Sequence, residues 1–183
     1  MVYIYTITTL AINSILLFII PLKLTRQELY TTWLAVTVNV LLADLIFGHV
    51  LDLYDLMDSG PQPFDLFIEI TLPATFGILY VNFMPKPRKK FLLYLLFWVG
   101  FSVCYEVLSS YFGYVVYKGW HVWWSALYYI GACLYMRWHF RFMRKEKSHY
   151  KQGSVHSQSY AEKQYLKKMH IKINAKTSSF SLM

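Results

Sequence analysis

Three carboxylates stand where a carboxylate is expensive. Asp44, Glu69 and Glu106 each interrupt an apolar run of about twenty residues. An acidic side chain at mid-bilayer costs roughly 2.5–3.5 kcal/mol on insertion scales, so such residues face a bundle interior and do something there. Two chemistries fit them. Protonated, they hydrogen-bond across helices to serines, to Asn13 or to tyrosine hydroxyls. Ionised, they form a cation or proton site, and oxygen ligands alone favour Na⁺, Ca²⁺, Mg²⁺ or H⁺ over a soft metal. His49 is a candidate ligand or proton shuttle. It follows Asp44 by five residues, however, and on an ideal α-helix points about 140° away. A helix-end histidine near the headgroups is therefore expected, and the same holds for His121.

Depth and face tie the three together. With about 1.5 Å of rise per residue, Asp44, Glu69 and Glu106 lie about 10, 8 and 15 Å below one end of their runs, which is one layer on three helices. Glu106 shares its stripe with Ser102, Ser109, Ser110 and Gly113, and Asp44 shares its own with Thr37 and Gly48. Small and hydroxylated residues mark helix–helix contact in a membrane. On the third run Asp65, Glu69, Pro73, Phe76 and Tyr80 line up. Pro73 has no N–H, so it deprives the Glu69 carbonyl of its intrahelical partner and kinks the helix.

The elements that carry these residues are five apolar runs, at about 3–20, 30–51, 64–84, 91–116 and 122–138. The 183-residue chain is 56% hydrophobic and 15% charged, where a soluble domain carries nearer 25% charged. Runs of about twenty apolar residues match the ~30 Å hydrocarbon core. The breaks are equally clear: Pro21, the Gly60-Pro61-Gln62-Pro63 turn, and Pro85 before Lys86, Arg88, Lys89 and Lys90. Charge follows, rather than precedes, the first run, so a retained helix is expected there and not a cleaved signal. Trp120, Trp123 and Trp124 at one end of the last run and Trp138 at the other are expected as membrane-interface anchors.

Seventeen of the eighteen Lys and Arg fall on one side of this arrangement, and Lys118 stands alone on the other. Basic segments stay cytoplasmic, so the N-terminus is expected outside and the C-terminus inside, the parity of five crossings. Residues 144–183 form a basic cytoplasmic tail, disordered or lying as a surface helix at about 159–173, that attracts anionic lipid. The charge sits beside apolar spans with no nucleic-acid-binding signature, so the expected partners are the lipid bilayer and anionic lipid, with a membrane protein or a second copy as further candidates and no nucleic acid. Cys104 and Cys133 lack metal-type spacing and are expected as small buried side chains. No HExxH, GxSxG, P-loop or GxGxxG motif occurs, so neither a catalytic residue nor a cofactor is assigned, and a non-enzymatic role is expected.

Glu69 and Pro73 in the third run, Asn82 and Pro85 before the basic knot, Glu106, Gly113, Trp120, Trp123-Trp124, Tyr128 and the closing Arg137, Trp138, Arg141 and Arg144 together resemble an uncharacterised family of small five-span integral membrane proteins from endospore-forming Gram-positive bacteria. The likeness covers about residues 30–145, and the tail after Lys147 is longer than the family's pattern. It implies fold and location, a multi-pass protein of the bacterial cell membrane, and no activity. The fold class expected is all-α: a transmembrane bundle of five helices in residues 1–143, followed by the tail. The function expected is that of a structural or partner subunit, with a small cation- or proton-linked transporter or sensor built on the carboxylate layer as the alternative.

Overall fold

In the computed structural model, residues 1–57 and 62–146 are described. The chain divides into two compact units, Met1–Phe140 and Arg141–Met183. In the second, residues 141–146 are helical. The expectations for the tail, including its lipid-binding helix, lie outside the described residues.

The first unit is built from long helices, as the apolar runs require: α1 (Val2–Ile19), α2 (Arg26–Ala43), α3 (Pro63–Phe83), α4 (Arg88–Tyr111) and α5, residues 122–146, whose first nineteen residues belong to this unit. Among the described residues, four helical segments are long and apolar enough to cross a membrane: Val2–Ile19, Arg26–Val50, Pro63–Phe83 and Arg88–Tyr111. The helix α5 is outside that set; its apolar stretch is rich in Trp and Tyr and is closed by Arg137 and Arg141.

Local chemistry sets the helix ends. α2 begins four residues before the expected start because Thr25 and Glu28 form a capping box: the Glu28 carboxylate accepts from the Thr25 amide at 2.8 Å and the Thr25 hydroxyl from the Glu28 amide at 3.4 Å. α3 opens on Pro63, where a missing N–H costs nothing. α4 stops at Tyr111, short of the expected boundary at 116. Gly113 takes φ +80°, the left-handed conformation that ends a helix. The β-branched Val115 and Val116 then enter a strand.

Two departures from plain α-helix shape one end of the bundle. Beyond Ala43 the second helix widens into a π-helix over Asp44–Val50, closed by the Leu51 amide donating to the Ile46 carbonyl, five residues back, at 2.9 Å. Past it, β1 (Tyr54–Leu56) pairs antiparallel with β2 (Val115–Tyr117), Tyr54 opposite Tyr117 and Leu56 opposite Val115. Three successive amides, those of Lys118, Gly119 and Trp120, converge on the Leu53 carbonyl at 3.0 Å each. Neither the strands nor the π-helix were expected from the sequence.

Pairing of the α2–α3 connection with the α4–α5 connection puts both at one end. At the other, buried Asn82 near the end of α3 accepts from the Lys23 amide at 2.7 Å and reaches the Pro21 carbonyl at 3.5 Å. The Arg137 guanidinium lies 3.4 Å above the Phe91 ring, a cation–π contact joining α5 to the start of α4. Consecutive helices therefore run in alternate directions.

The core lies along α3, which buries Ile68, Leu72, Ala74, Ile78, Leu79 and Val81. Against it α2 comes close: a Cβ on Gly77 would meet the Val36 Cγ2 at 2.5 Å, and the Thr37 hydroxyl donates to the Ile70 carbonyl at 3.2 Å. That donor arrives one residue beyond Glu69, in the turn that Pro73 loosens.

Candidate functional site

The three acidic residues have three different surroundings. Glu106, one and a half turns before the end of α4, is the acceptor for three hydroxyls. The Tyr117 hydroxyl donates to its Oε1 at 2.6 Å and the Ser125 hydroxyl to the same oxygen at 2.5 Å; the Tyr129 hydroxyl donates to Oε2 at 2.7 Å. Ser125, itself buried, accepts from the Trp120 indole at 2.6 Å. One carboxylate thus ties α4, β2 and α5 together, and charge-assisted bonds of this length are the strong kind. Burial and the Glu106 carboxylate together hold the Tyr117 phenol above its ordinary pKa. Glu106 stands about 8 Å from its helix end at α-helical rise, about half the depth expected, because α4 is shorter than its apolar run.

Asp44 pairs with His49. The ring Nδ1 lies 3.2 Å from Asp44 Oδ2. This overturns the expectation that the two point apart. In a π-helix the repeat is i to i+5, so residues 44 and 49 rise on one face. Gly48 is part of the arrangement, since a Cβ there would stand 2.8 Å from Asp44 Oδ1 and 3.4 Å from the Tyr54 ring. Tyr54 also hydrogen-bonds Asp44, and burial with the neighbouring Asp44 and Glu69 charges raises its pKa.

Glu69 is different from both. It is 8% exposed and borders a half-open cavity of about 310 Å³, at the small end of the ~300–1,000 Å³ range for small-molecule sites. Glu106 borders the same cavity; Asp44, Asp65 and His49 do not. Among the described residues no donor hydrogen-bonds the Glu69 carboxylate. Its electrostatic neighbours are Asp44 and Asp65 and the phenols of Tyr54, Tyr114 and Tyr128. Pro73, Phe76 and Tyr80 follow it along the cavity wall, as their common stripe on α3 predicts. No group of three His, Cys, Asp or Glu among the described residues is placed to hold a metal ion.

The remaining polar groups serve packing. The Tyr5 hydroxyl meets the Ser109 hydroxyl at 2.9 Å, and Ser109 donates to the Tyr105 carbonyl at 2.8 Å. The Tyr128 hydroxyl donates to Asn39 Oδ1 at 2.7 Å. Asn13, expected to reach another helix, donates to the Thr9 carbonyl of its own at 3.1 Å. Trp123, at the start of α5, and Trp138, about four turns further along it, are exposed. Trp120 and Trp124 turn inward instead: Trp120 packs on Phe47 at 5.1 Å and on Trp124 at 5.4 Å between ring centroids. Cys104, expected buried, is exposed on α4, and Cys133 is half-buried. Lys118 bonds Asp52 at 2.5 Å and Asp55 at 3.0 Å, and these carboxylates raise its pKa.

Fold and cavity together define a helical bundle with a partly polar interior. No protein-family model, curated protein or solved structure matches the chain.

Proposed function

We propose that the chain is a multi-pass integral membrane protein of the cell membrane, crossing five times with its N-terminus outside and its basic tail in the cytoplasm, and that it serves without enzymatic chemistry as a structural or partner subunit. Inverted packing carries the proposal. Phe18 is 96% and Ile4 74% exposed, while Thr6 and Thr32 are 0% exposed. Water penalises a bundle that wears its large apolar side chains outside and its hydroxyls inside; lipid favours it. The charge distribution supports the orientation. Lys23, Arg26, Lys86 and Arg88 flank the connections that Asn82 draws together, and Lys118, at the other end, is offset by Asp52 and Asp55.

Two experiments test this. After an alkaline carbonate wash the protein should stay with the membrane, and its release would end the membrane proposal. With Cys104 and Cys133 replaced by Ser, an impermeant maleimide applied to intact cells should label a cysteine at position 55 and spare one at position 86. The reverse pattern would invert the topology. For the subunit role, mild detergent extraction should yield a complex heavier than the 21.7 kDa chain, and a bare monomer would count against it.

A cation-responsive transporter or sensor is the second proposal. Glu69 favours it, as a buried carboxylate beside a cavity with no hydrogen-bond donor of its own among the described residues.

A further inference from the structure

The cavity wall has a simple charge pattern. Among the described residues, Glu69 and Glu106 are its acidic residues, and no Lys, Arg or His borders it. Glu106 is already committed to the Tyr117, Ser125 and Tyr129 hydroxyls. That leaves Glu69, more than nine-tenths buried and accepting no hydrogen bond from a described residue. An ionised carboxylate held away from water is costly unless something pairs with it. Asp44 and Asp65 nearby deepen the negative potential.

The rest of the wall selects among cations. Phe47, Tyr54, Tyr114, Trp120 and Tyr128 border the cavity with Glu69. Phe47 and Trp120 stand 5.1 Å apart, Tyr54 and Trp120 5.9 Å, and Phe47 and Tyr128 6.4 Å between ring centroids, an aromatic corner whose faces attract positive charge. A hard metal ion asks instead for six or more oxygens, and no cluster of three acidic, His or Cys ligands exists among the described residues. One carboxylate among aromatic rings suits a cation whose charge is spread over carbon.

We propose that the cavity binds a small organic cation, an ammonium bearing an aryl or alkyl group, with Glu69 as counter-ion and the aromatic corner around Trp120 as the cage. The inference rests on the cation-responsive proposal and gives that site its ligand class.

The test uses the full chain in detergent and two probes of one shape: benzyltrimethylammonium, and neopentylbenzene, in which a carbon replaces the nitrogen. Tryptophan fluorescence reads binding, since Trp98 and Trp120 border the cavity, and thermal unfolding checks it. The cation should bind saturably and raise Tm; the neutral probe and the Glu69→Gln variant should each weaken binding by about tenfold or more. Equal binding of the two probes by the natural chain would overturn the proposal, making the cavity a merely apolar one, and so would no binding of either. The comparison of probes needs no variant, so it stands even where Glu69→Gln fails to fold. Glu69-dependent binding with no cation flux in proteoliposomes would uphold the site and discard a transporter, so the two proposals fail separately.

Discussion

Glu106 and Glu69 border the same cavity, yet one is saturated and the other is not. Around Glu106 the chain brings three hydroxyls from two other elements within 2.7 Å. Around Glu69 it brings other carboxylates and aromatic rings. A fold that holds Glu106 with three donors and, among the described residues, offers Glu69 none does not lack donors. The difference therefore separates an acid that holds the bundle together from one that the bundle keeps available.

The largest expected effect is at the saturated acid. Glu106→Ala removes the common acceptor of Tyr117, Ser125 and Tyr129 and should cost about 3 kcal/mol or more, because three donors are stranded at once. Glu106→Gln keeps one acceptor oxygen and should cost less. Thermal unfolding in detergent measures both. If the alanine variant unfolded with the natural chain, the network would be no more than decoration and the contrast with Glu69 would disappear.

A smaller but sharp effect is expected where α2 meets α3, the contact that fixes Glu69 in place. A methyl on Gly77 would lie 2.5 Å from Val36 Cγ2, whereas one on Gly100 meets nothing within 4 Å. Gly77→Ala should cost about 1–3 kcal/mol by overpacking. Gly100→Ala should stabilise by about 0.5–1 kcal/mol through backbone entropy. Equal responses at the two glycines would mean that α2 and α3 do not pack closely at Val36.

Third comes the available acid. Glu69→Gln strands no donor among the described residues and replaces a buried ionisable group by a neutral one of the same shape, so in the absence of ligand Tm should stay level or rise, opposite in sign to Glu106→Gln. A loss as large as that of Glu106→Ala would make Glu69 a packing residue after all and remove the reason to look for a ligand.

These residues also mark how far the sequence could be read. The apolar runs and their Pro and Gly breaks placed the helices, since length and hydropathy are local properties. The depth of the acids was read from the same runs, and it was wrong for Glu106 because Gly113 ends α4 early. The Thr25-x-x-Glu28 capping box was legible as a motif, and it would have started α2 at its true first turn. The β1–β2 pair was not legible: its strands are three residues each and meet across some sixty residues of chain. Nor was the π-helix, which has no local signature and which alone turns His49 toward Asp44. For Glu106 the sequence pointed to serine and tyrosine hydroxyls across helices, the kinds of donor found, without saying which residues. Ser125, on the next antiparallel helix at a matching depth beside the tryptophan pair, was the available signal that went unused.

The smallest effect is expected beside the β1–β2 strand pair, where Lys118 meets Asp52 and Asp55. The lysine is exposed, so this ion pair contributes little and is screened by salt. Its sign is nonetheless fixed. The folded pKa is raised, so the stabilisation is fully present below lysine's ordinary value of about 10.4 and is lost as pH climbs through the raised value. The difference in Tm between the natural chain and Lys118→Met should be constant from neutral pH to about 10 and shrink above it, and it should shrink at neutral pH when salt is added. A difference indifferent to both would mean that Lys118 acts on the strand pair through its methylenes and not through its charge. The pairing of β1 with β2 would then rest on backbone bonds and on Tyr117, which returns the stability of the pair to Glu106.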